Sequence, residues 1–305
     1  MNLVRAAAGL LAAVALAACA PASAAPPPVP PPARAWLVTN PEPCPTTVAV
    51  VAHQDDDLLF LNPSISDDLA AGRCVVTVFL TAGDAGRDAD YWLGREAGAM
   101  AAYAAMAGRP GDWTADRLRL AGHDVASRTL GPRVTLLFLR LPDAHGRADR
   151  AGQSLERLWR GRVPAVHTVD DGDGYSRGGL IATLTAALDA YRPDQIRTLD
   201  FAGRYGDGDH ADHHTAGYFT EAAQRTYARP HRLTGYLGYP VSDQPANLTT
   251  GVRDIKLGFF LDYAAHDPRV CATAAACLAN FYGPRFSRSI MRRSLRGPPE
   301  LGAVQ

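Results

Sequence analysis

Thr47-Val-Ala-Val-Val51 runs straight into Ala52-His-Gln-Asp-Asp-Asp57. An unbroken apolar and β-branched run of this length reads as a strand covered on both faces, the mark of a parallel sheet. The hexapeptide after it delivers one imidazole and three carboxylates where that strand ends. Open α/β sheets bind ligands outside the carboxyl ends of their strands. His53 and Asp56 can therefore turn toward one ion at the rim, and Asp55 between them can take a proton from water held there. The alternative for the three Asp residues is capping of a helical turn that follows, since carboxylates favour helix starts. That role is assigned to Asp57, with Pro63 interrupting the turn.

Further runs have strand character: Val75–Leu80, Val134–Leu139, Ala165–Val169, Ile196–Leu199 and Leu233–Tyr239. Between the strands lie segments with helical patterning, at Ser64–Ala71, Trp92–Ala107, Arg177–Tyr191, Asp212–Tyr227 and Thr250–Ala264. The alternation predicts an α/β fold, a Rossmann-like, doubly wound and largely parallel sheet with helices on both faces. Thr81-Ala-Gly-Asp-Ala-Gly86 closes the second strand and so falls on the same rim as His53. No internal repeat or heptad is visible. The Arg-, Gly- and Pro-rich tail Arg292–Gln305 is expected to add little to the core.

A second polar cluster, Asp209-His-Ala-Asp-His-His214, opens the helix after the strand 196–199 and a Gly/Asp-rich loop. Several histidines at a loop–helix junction are poorly explained by core packing; a surface polar cluster is the alternative. With the first cluster they offer imidazole and carboxylate but no thiolate. That donor set suits a catalytic Zn²⁺ with an open position for water, and Fe²⁺ also fits it.

The pair His53-Gln-Asp-Asp56 and His210-Ala-Asp-His213 resembles the paired motif of the PIG-L/LmbE family of zinc-dependent de-N-acetylases, and the likeness extends over most of residues 46–265. The resemblance implies hydrolysis of the acetamide of an N-acetylglucosamine conjugate. It implies that His53, Asp56 and His213 ligate zinc and that Asp55 is the general base. As a protonated residue His210 would polarise the acetyl carbonyl, stabilise the oxyanion and help protonate the leaving amine, and Asp212 would orient His210. Arg95 and Asp143, the latter in Leu141-Pro-Asp143, are similar in placement to substrate-contacting residues; a solvated helix face and an ordinary Pro-Asp turn are the alternatives. Gln54 stands where the family has Pro, and Asp57 where it has Glu, so the metal site survives while the substrate mouth is expected to change shape. His214 is expected on the helix surface, and Tyr205 is the candidate for a lid residue. Two other classes stay open: hydrolysis of a different amide or acyl conjugate, and a lipid-anchored carbohydrate-binding protein without turnover. A binder would need neither Asp55 nor His210.

The N-terminus reads as an export segment, with Arg5 followed by the apolar stretch Ala6–Ala18. Leu16-Ala-Ala-Cys19 resembles the bacterial lipobox, which implies cleavage before Cys19 and lipid attachment there; cleavage after Ala22-Ser-Ala24 is the alternative. The expected organisation is a signal peptide (1–18), a Pro/Ala-rich tether (19–40), the deacetylase-like domain (41–285) and a tail (286–305). The protein is expected on the extracytoplasmic side, anchored to the membrane or secreted. Lys and Arg number 31 and so do Asp and Glu, and no basic run offers a nucleic-acid footprint. Apart from Cys19 there are four cysteines, Cys44, Cys74, Cys271 and Cys277. If the first two strands are parallel neighbours, Cys44 reaches Cys74, which leaves Cys271 for Cys277.

Overall fold

A computed structural model describes residues 44–109, 111–144, 152–170 and 172–298. The export segment, Cys19, the tether and residues 299–305 lie outside the described residues.

The chain starts with β1 (Thr46–Val51), a buried π-helical turn (Asp57–Leu61), α1 (Ser64–Ala70), β2 (Cys74–Thr81) and α2 (Ala89–Met106). The hairpin β3 (Trp113–Leu120) and β4 (His123–Leu130) leads into β5 (Val134–Leu141). Next come α3 (Leu155–Trp159), the short strands β6 (Val166–His167) and β7 (Gly174–Tyr175), α4 (Arg177–Tyr191), β8 (Gln195–Leu199), α5 (Ala211–Gln224) and β9 (Arg232–Tyr236). A 3-10 turn (Tyr239–Asp243), α6 (Thr250–Ala264), α7 (Ala274–Ala279), α8 (Gly283–Phe286) and β10 (Met291–Arg296) complete it.

Eight strands form one sheet in the order β10-β9-β8-β1-β2-β5-β4-β3. The five from β9 to β5 are parallel, and β10, β4 and β3 run antiparallel to their neighbours. Helices flank this mixed, mostly parallel sheet, as expected for a Rossmann-type fold. Every residue of β1 and β2 is buried, which is why both read as continuous apolar runs. From β1 the chain moves to β2 on one side and later returns at β8 on the other. The order therefore reverses at β1/β8, and the crevice above that reversal is where doubly wound sheets bind ligands.

Two glycines one helical turn apart on α2 set how α6 packs. A Cβ at Gly94 would come within 2.8 Å of the His266 carbonyl, and one at Gly98 within 2.7 Å of the Tyr263 ring. Without side chains there, the C-terminal end of α6 lies directly on α2. Among the described residues no helix is long and apolar enough to cross a membrane.

Three features depart from the sequence reading. β3 and β4 carry no apolar run; both mix polar and apolar residues, β3 at the sheet edge with β4 beside it, and they are joined by Ala121-Gly122, both at positive φ. Ala165–Val169 shrinks to the two-residue β6, which pairs only with β7 in a separate small sheet. The segment assigned to a tail supplies the edge strand β10, mostly exposed, so it extends the sheet without filling the core. The structure pairs Cys44 with Cys74, whose Cα atoms are 5.7 Å apart, and Cys271 with Cys277. Register explains the first pair, because Thr46 and Cys74 are direct neighbours at the starts of β1 and β2.

Candidate metal centre

Five strand ends converge on the crevice. β1 supplies Ala52–Asp57, β2 the glycine turn, β5 Asp143, β8 the loop to His213, and β9 Tyr239.

Asp56 is fixed first. Its Oδ2 accepts the backbone N–H groups of Ala52 (3.0 Å) and His53 (2.7 Å). Its Oδ1 is left facing His213 Nε2 at 3.0 Å and His53 Nδ1 at 3.3 Å. His213 is held from behind, where its Nδ1 meets Asp209 Oδ1 at 2.7 Å. The same Asp209 oxygen takes the N–H groups of His210 and Tyr239. His53 Nε2 faces Asp143 Oδ1 and Asp212 Oδ2, both at 3.6 Å. The Nε2 atoms of His53 and His213 are buried and make no aligned hydrogen bond, His213 Nε2 meeting only Asp56 Oδ1 at close range.

The electrostatics follow from this packing. Burial works against charge on both histidines, but Asp56 and Asp143 outweigh it at His53 and raise its pKa. Asp56 and Asp209 likewise push His213 up to about 10. Burial opposes the charge on Asp56, yet His213 and His53 hold it well below the usual carboxylate range. The centre is thus a buried, net anionic cage that stabilises positive charge. A divalent cation fits two buried imidazole Nε2 atoms without an aligned hydrogen bond, one beside Asp56 Oδ1 and the other facing the Asp143 and Asp212 carboxylates. One ligand atom from each of His53, His210 and His213 falls within 4.8 Å of the others, as does a set from His53, Asp143, His210 and Asp212. Asp56 belongs to neither set, but its Oδ1 is in contact with both histidines named with it in the expected ligand triad.

Asp55 is buried against Arg95, whose Nη2 donates to Asp55 Oδ1 at 2.5 Å. Burial raises the Asp55 pKa, and Arg95 partly opposes that. Arg95 is itself fully engaged: Nε donates to Tyr263 Oη (2.6 Å) and Nη1 to the Gly83 carbonyl (2.7 Å), while Asp267 Oδ2 lies 3.2 Å from Nε. Tyr263 in turn donates to Asp267. Arg95 was expected to reach substrate; the close α2–α6 packing turns it inward onto the carboxylate instead. Gly83, at positive φ, leaves the space that Arg95 and Gln54 occupy. Gln54, in the family's Pro position, is buried and donates to the Thr81 carbonyl, so it stitches the first loop to the glycine turn. Asp57 opens the π-helical turn and accepts from Tyr103, with burial raising it to about 7.

His210 caps α5, and its Nδ1 accepts the Asp212 N–H at 3.1 Å. A ring whose Nδ1 accepts carries its neutral proton on Nε2. Burial and the neighbouring His53 charge lower His210 to about 4, which keeps it neutral. Asp212 was expected to orient His210 through its side chain. The backbone N–H performs that task, while the Asp212 carboxylate accepts from Ala144 N (2.9 Å) and faces His53. Asp143 is positioned through its own N–H, which donates to Asp84.

Two expectations are corrected. His214 is not on the helix surface: it is buried, with Nδ1 on the Asp200 carbonyl and Nε2 on Asp207, because α5 starts beneath the loop 200–209. Tyr205 packs on Tyr218 and hydrogen-bonds Thr215, so Tyr239 is the tyrosine beside the centre, its ring 4.9 Å from that of His213. Asp209, Tyr239, Tyr263 and Asp267 had no sequence assignment. Only Asp209, adjacent to His210, carried a local signal.

The family model described as GlcNAc-PI de-N-acetylase (PIG-L) matches residues 48–224, from β1 through α5, and so spans both ligand-bearing loops. The chain belongs to the PIG-L family. As a PIG-L protein it is a metal-dependent hydrolase of the deacetylase type with a candidate His/Asp centre. Among curated proteins none matches it. It is similar to solved structures at the level of fold. One is the zinc-inhibited form of teicoplanin deacetylase Orf2, at 17% identity over 72% of this chain and 84% of that one, TM-score 0.44. A second is N,N'-diacetylchitobiose deacetylase from Pyrococcus horikoshii, at 14% identity over 84% and 85%, TM-score 0.48. A third is a conserved protein from Thermus thermophilus, at 21% identity over 71% and 78%, TM-score 0.39.

Proposed function

We propose that this PIG-L protein removes the acetyl group from an N-acetylglucosamine-type glycoconjugate by hydrolysing its acetamide. The observation that carries this reading is the pair of buried imidazole Nε2 atoms without an aligned hydrogen bond, that of His213 beside Asp56 Oδ1 and that of His53 facing Asp143 and Asp212, with the buried carboxylate of Asp55 next to Asp56 in the chain. A divalent ion held by His53, Asp56 and His213 (Zn²⁺ in this reading, with Fe²⁺ the other candidate) would supply Lewis acidity toward the carbonyl and acidify water. Asp55 takes the proton of the attacking water, and Arg95 keeps that carboxylate aimed. His210 donates its Nε2 proton in a hydrogen bond to the carbonyl oxygen as negative charge develops there. Its Nδ1 already accepts the Asp212 N–H, so it has no second proton to give. Asp55 therefore returns its proton to the leaving nitrogen, and the products are acetate and a free amine. Asp143, facing His53 and His210, would hold a sugar hydroxyl.

The test is release of free amine from a panel of N-acetylated sugars, with and without a chelator. Release that stops with chelator and returns with metal supports the reading; chelator-insensitive release contradicts it. His213→Ala should lower bound metal in a folded protein, and unchanged stoichiometry would remove His213 from the ligand set.

The reading extends to location: an exported protein, lipid-anchored at Cys19. Leu16-Ala-Ala-Cys19 and the two disulfides support it, since disulfides persist in oxidising compartments. Fractionation with mass analysis of the N-terminal peptide tests it. A mature protein in the cytoplasm with its leader intact would overturn it.

A further inference from the structure

Ring contacts continue outward from the centre. Tyr239 packs edge-on against His213, and Phe281 packs edge-on against Tyr239, with centroids 5.5 Å apart. Phe281 is 61% exposed. A lone surface aromatic needs no explanation, but this one stands on a built support. The Arg285 guanidinium lies 3.6 Å from the Phe281 centroid and 4.9 Å from that of Tyr239. Arg285 is buried, its Nε lacks a hydrogen-bond partner, and no carboxylate of the described residues pairs with it. A buried cation without a counter-ion is costly, and here its charge faces two aromatic rings and the Phe281 carbonyl.

The segment that carries the ring is braced on several sides. The Cys271–Cys277 disulfide closes the loop before it, and Tyr282 packs on Phe260. The buried Lys256 ammonium donates to the carbonyls of Leu59 (2.7 Å), Arg285 (2.9 Å) and Arg288 (2.7 Å). One side chain thus ties the turn behind Asp56 to the segment behind Phe281, and the ring is fixed relative to the catalytic loop.

We propose that Phe281 is a stacking platform for a second hexopyranose, linked to the one whose acetamide enters the centre, so that the substrate is an oligosaccharide of two or more units. The proposal rests on the deacetylase reading. The C–H face of a pyranose is apolar and weakly electropositive, and it lies well on the electron-rich face of an aromatic ring. A pre-placed ring gives that contact without an ordering cost. Phe281 lies beyond residues 48–224, the part matched to the family.

The experiment compares wild type with Phe281→Ala and Phe281→Trp. It measures kcat/KM for the mono-, di- and trisaccharides of N-acetylglucosamine and for an alkyl glycoside of the monosaccharide. Metal content and oligomeric state are recorded for each variant. In Phe281→Ala the trisaccharide-to-monosaccharide ratio should fall about 3- to 10-fold, the scale of one aromatic contact, and Trp should restore it. An unchanged ratio overturns the platform. A loss confined to the alkyl glycoside overturns it in favour of an apolar aglycone, and a lower oligomeric state overturns it in favour of a second copy covering the ring. If wild type deacetylates none of these sugars, the deacetylase reading fails separately. Calorimetric binding of the trisaccharide to wild type and to Phe281→Ala then decides the platform: weaker binding by the variant supports it, and equal or absent binding overturns it.

Discussion

Asp209→Asn isolates the role of a residue that touches no ion. Asp209 Oδ1 accepts from His213 Nδ1 at 2.7 Å, from His210 N at 2.8 Å and from Tyr239 N at 2.9 Å. Asparagine keeps the size and one acceptor oxygen but removes the charge. A hydrogen bond to a charged group contributes about 1.5–3 kcal/mol, and one between neutral groups about 0.5–1.5. The His213 contact should therefore weaken by roughly 1–2 kcal/mol, and the ring loses both the bias that keeps its Nε2 toward Asp56 and some basicity. At about 1.4 kcal/mol per tenfold, metal affinity should fall on the order of 10-fold, with 100-fold the upper end for such partners. The assay is competition for metal against a chromophoric chelator, run beside thermal unfolding. A folded variant with wild-type metal affinity would refute the argument that Asp209 sets up His213.

Tyr263→Phe removes the hydroxyl that accepts from Arg95 Nε at 2.6 Å. The expected result is a kcat lower by about 3- to 10-fold, less than the roughly 12- to 140-fold worth of one charge-assisted hydrogen bond because Asp267 remains 3.2 Å from Arg95 Nε, with KM and metal content nearly unchanged; an unaltered kcat would show that Asp55 does not depend on this brace. Lys256→Met removes the donor shared by three carbonyls, of which that of Arg285 keeps the Arg288 N–H while that of Leu59 is buried; at about 1–3 kcal/mol for a buried acceptor left unpaired, stability measured by denaturant unfolding should drop by roughly 2 kcal/mol or more. A loss under about 1 kcal/mol would mean that those carbonyls find other partners.

The sheet's centre was legible because β1 and β2 are covered on both faces, which leaves an apolar signature in a single segment. The edges were not. β3, β4 and β10 are half solvated, and their pairing is decided by what lies beside them rather than by their own composition. The same division runs through the site. His53, Asp55 and Asp56 sit within one turn, and His210 and His213 within another, so each half announces itself locally. The direction of Arg95 is not local, because it is set by Gly94 and Gly98, which admit Tyr263 of α6 and Asp267 just past its end, well over a hundred residues downstream. Asp212 supplies its backbone N–H where its carboxylate was expected, a distinction that side-chain chemistry alone does not encode. His214, a third histidine in a polar run, looked solvated until the loop from β8 was seen to fold over it.

Asp55 is proposed as the base beside a metal that His53, Asp56 and His213 would hold. The most direct test of that role is amine release from N-acetylated sugars by metal-loaded Asp55→Ala, with bound metal quantified in the same sample. The expected result is a full complement of metal with activity reduced by at least about 100-fold, the lower range for losing a general base. Activity close to wild type in a metal-loaded variant would contradict it.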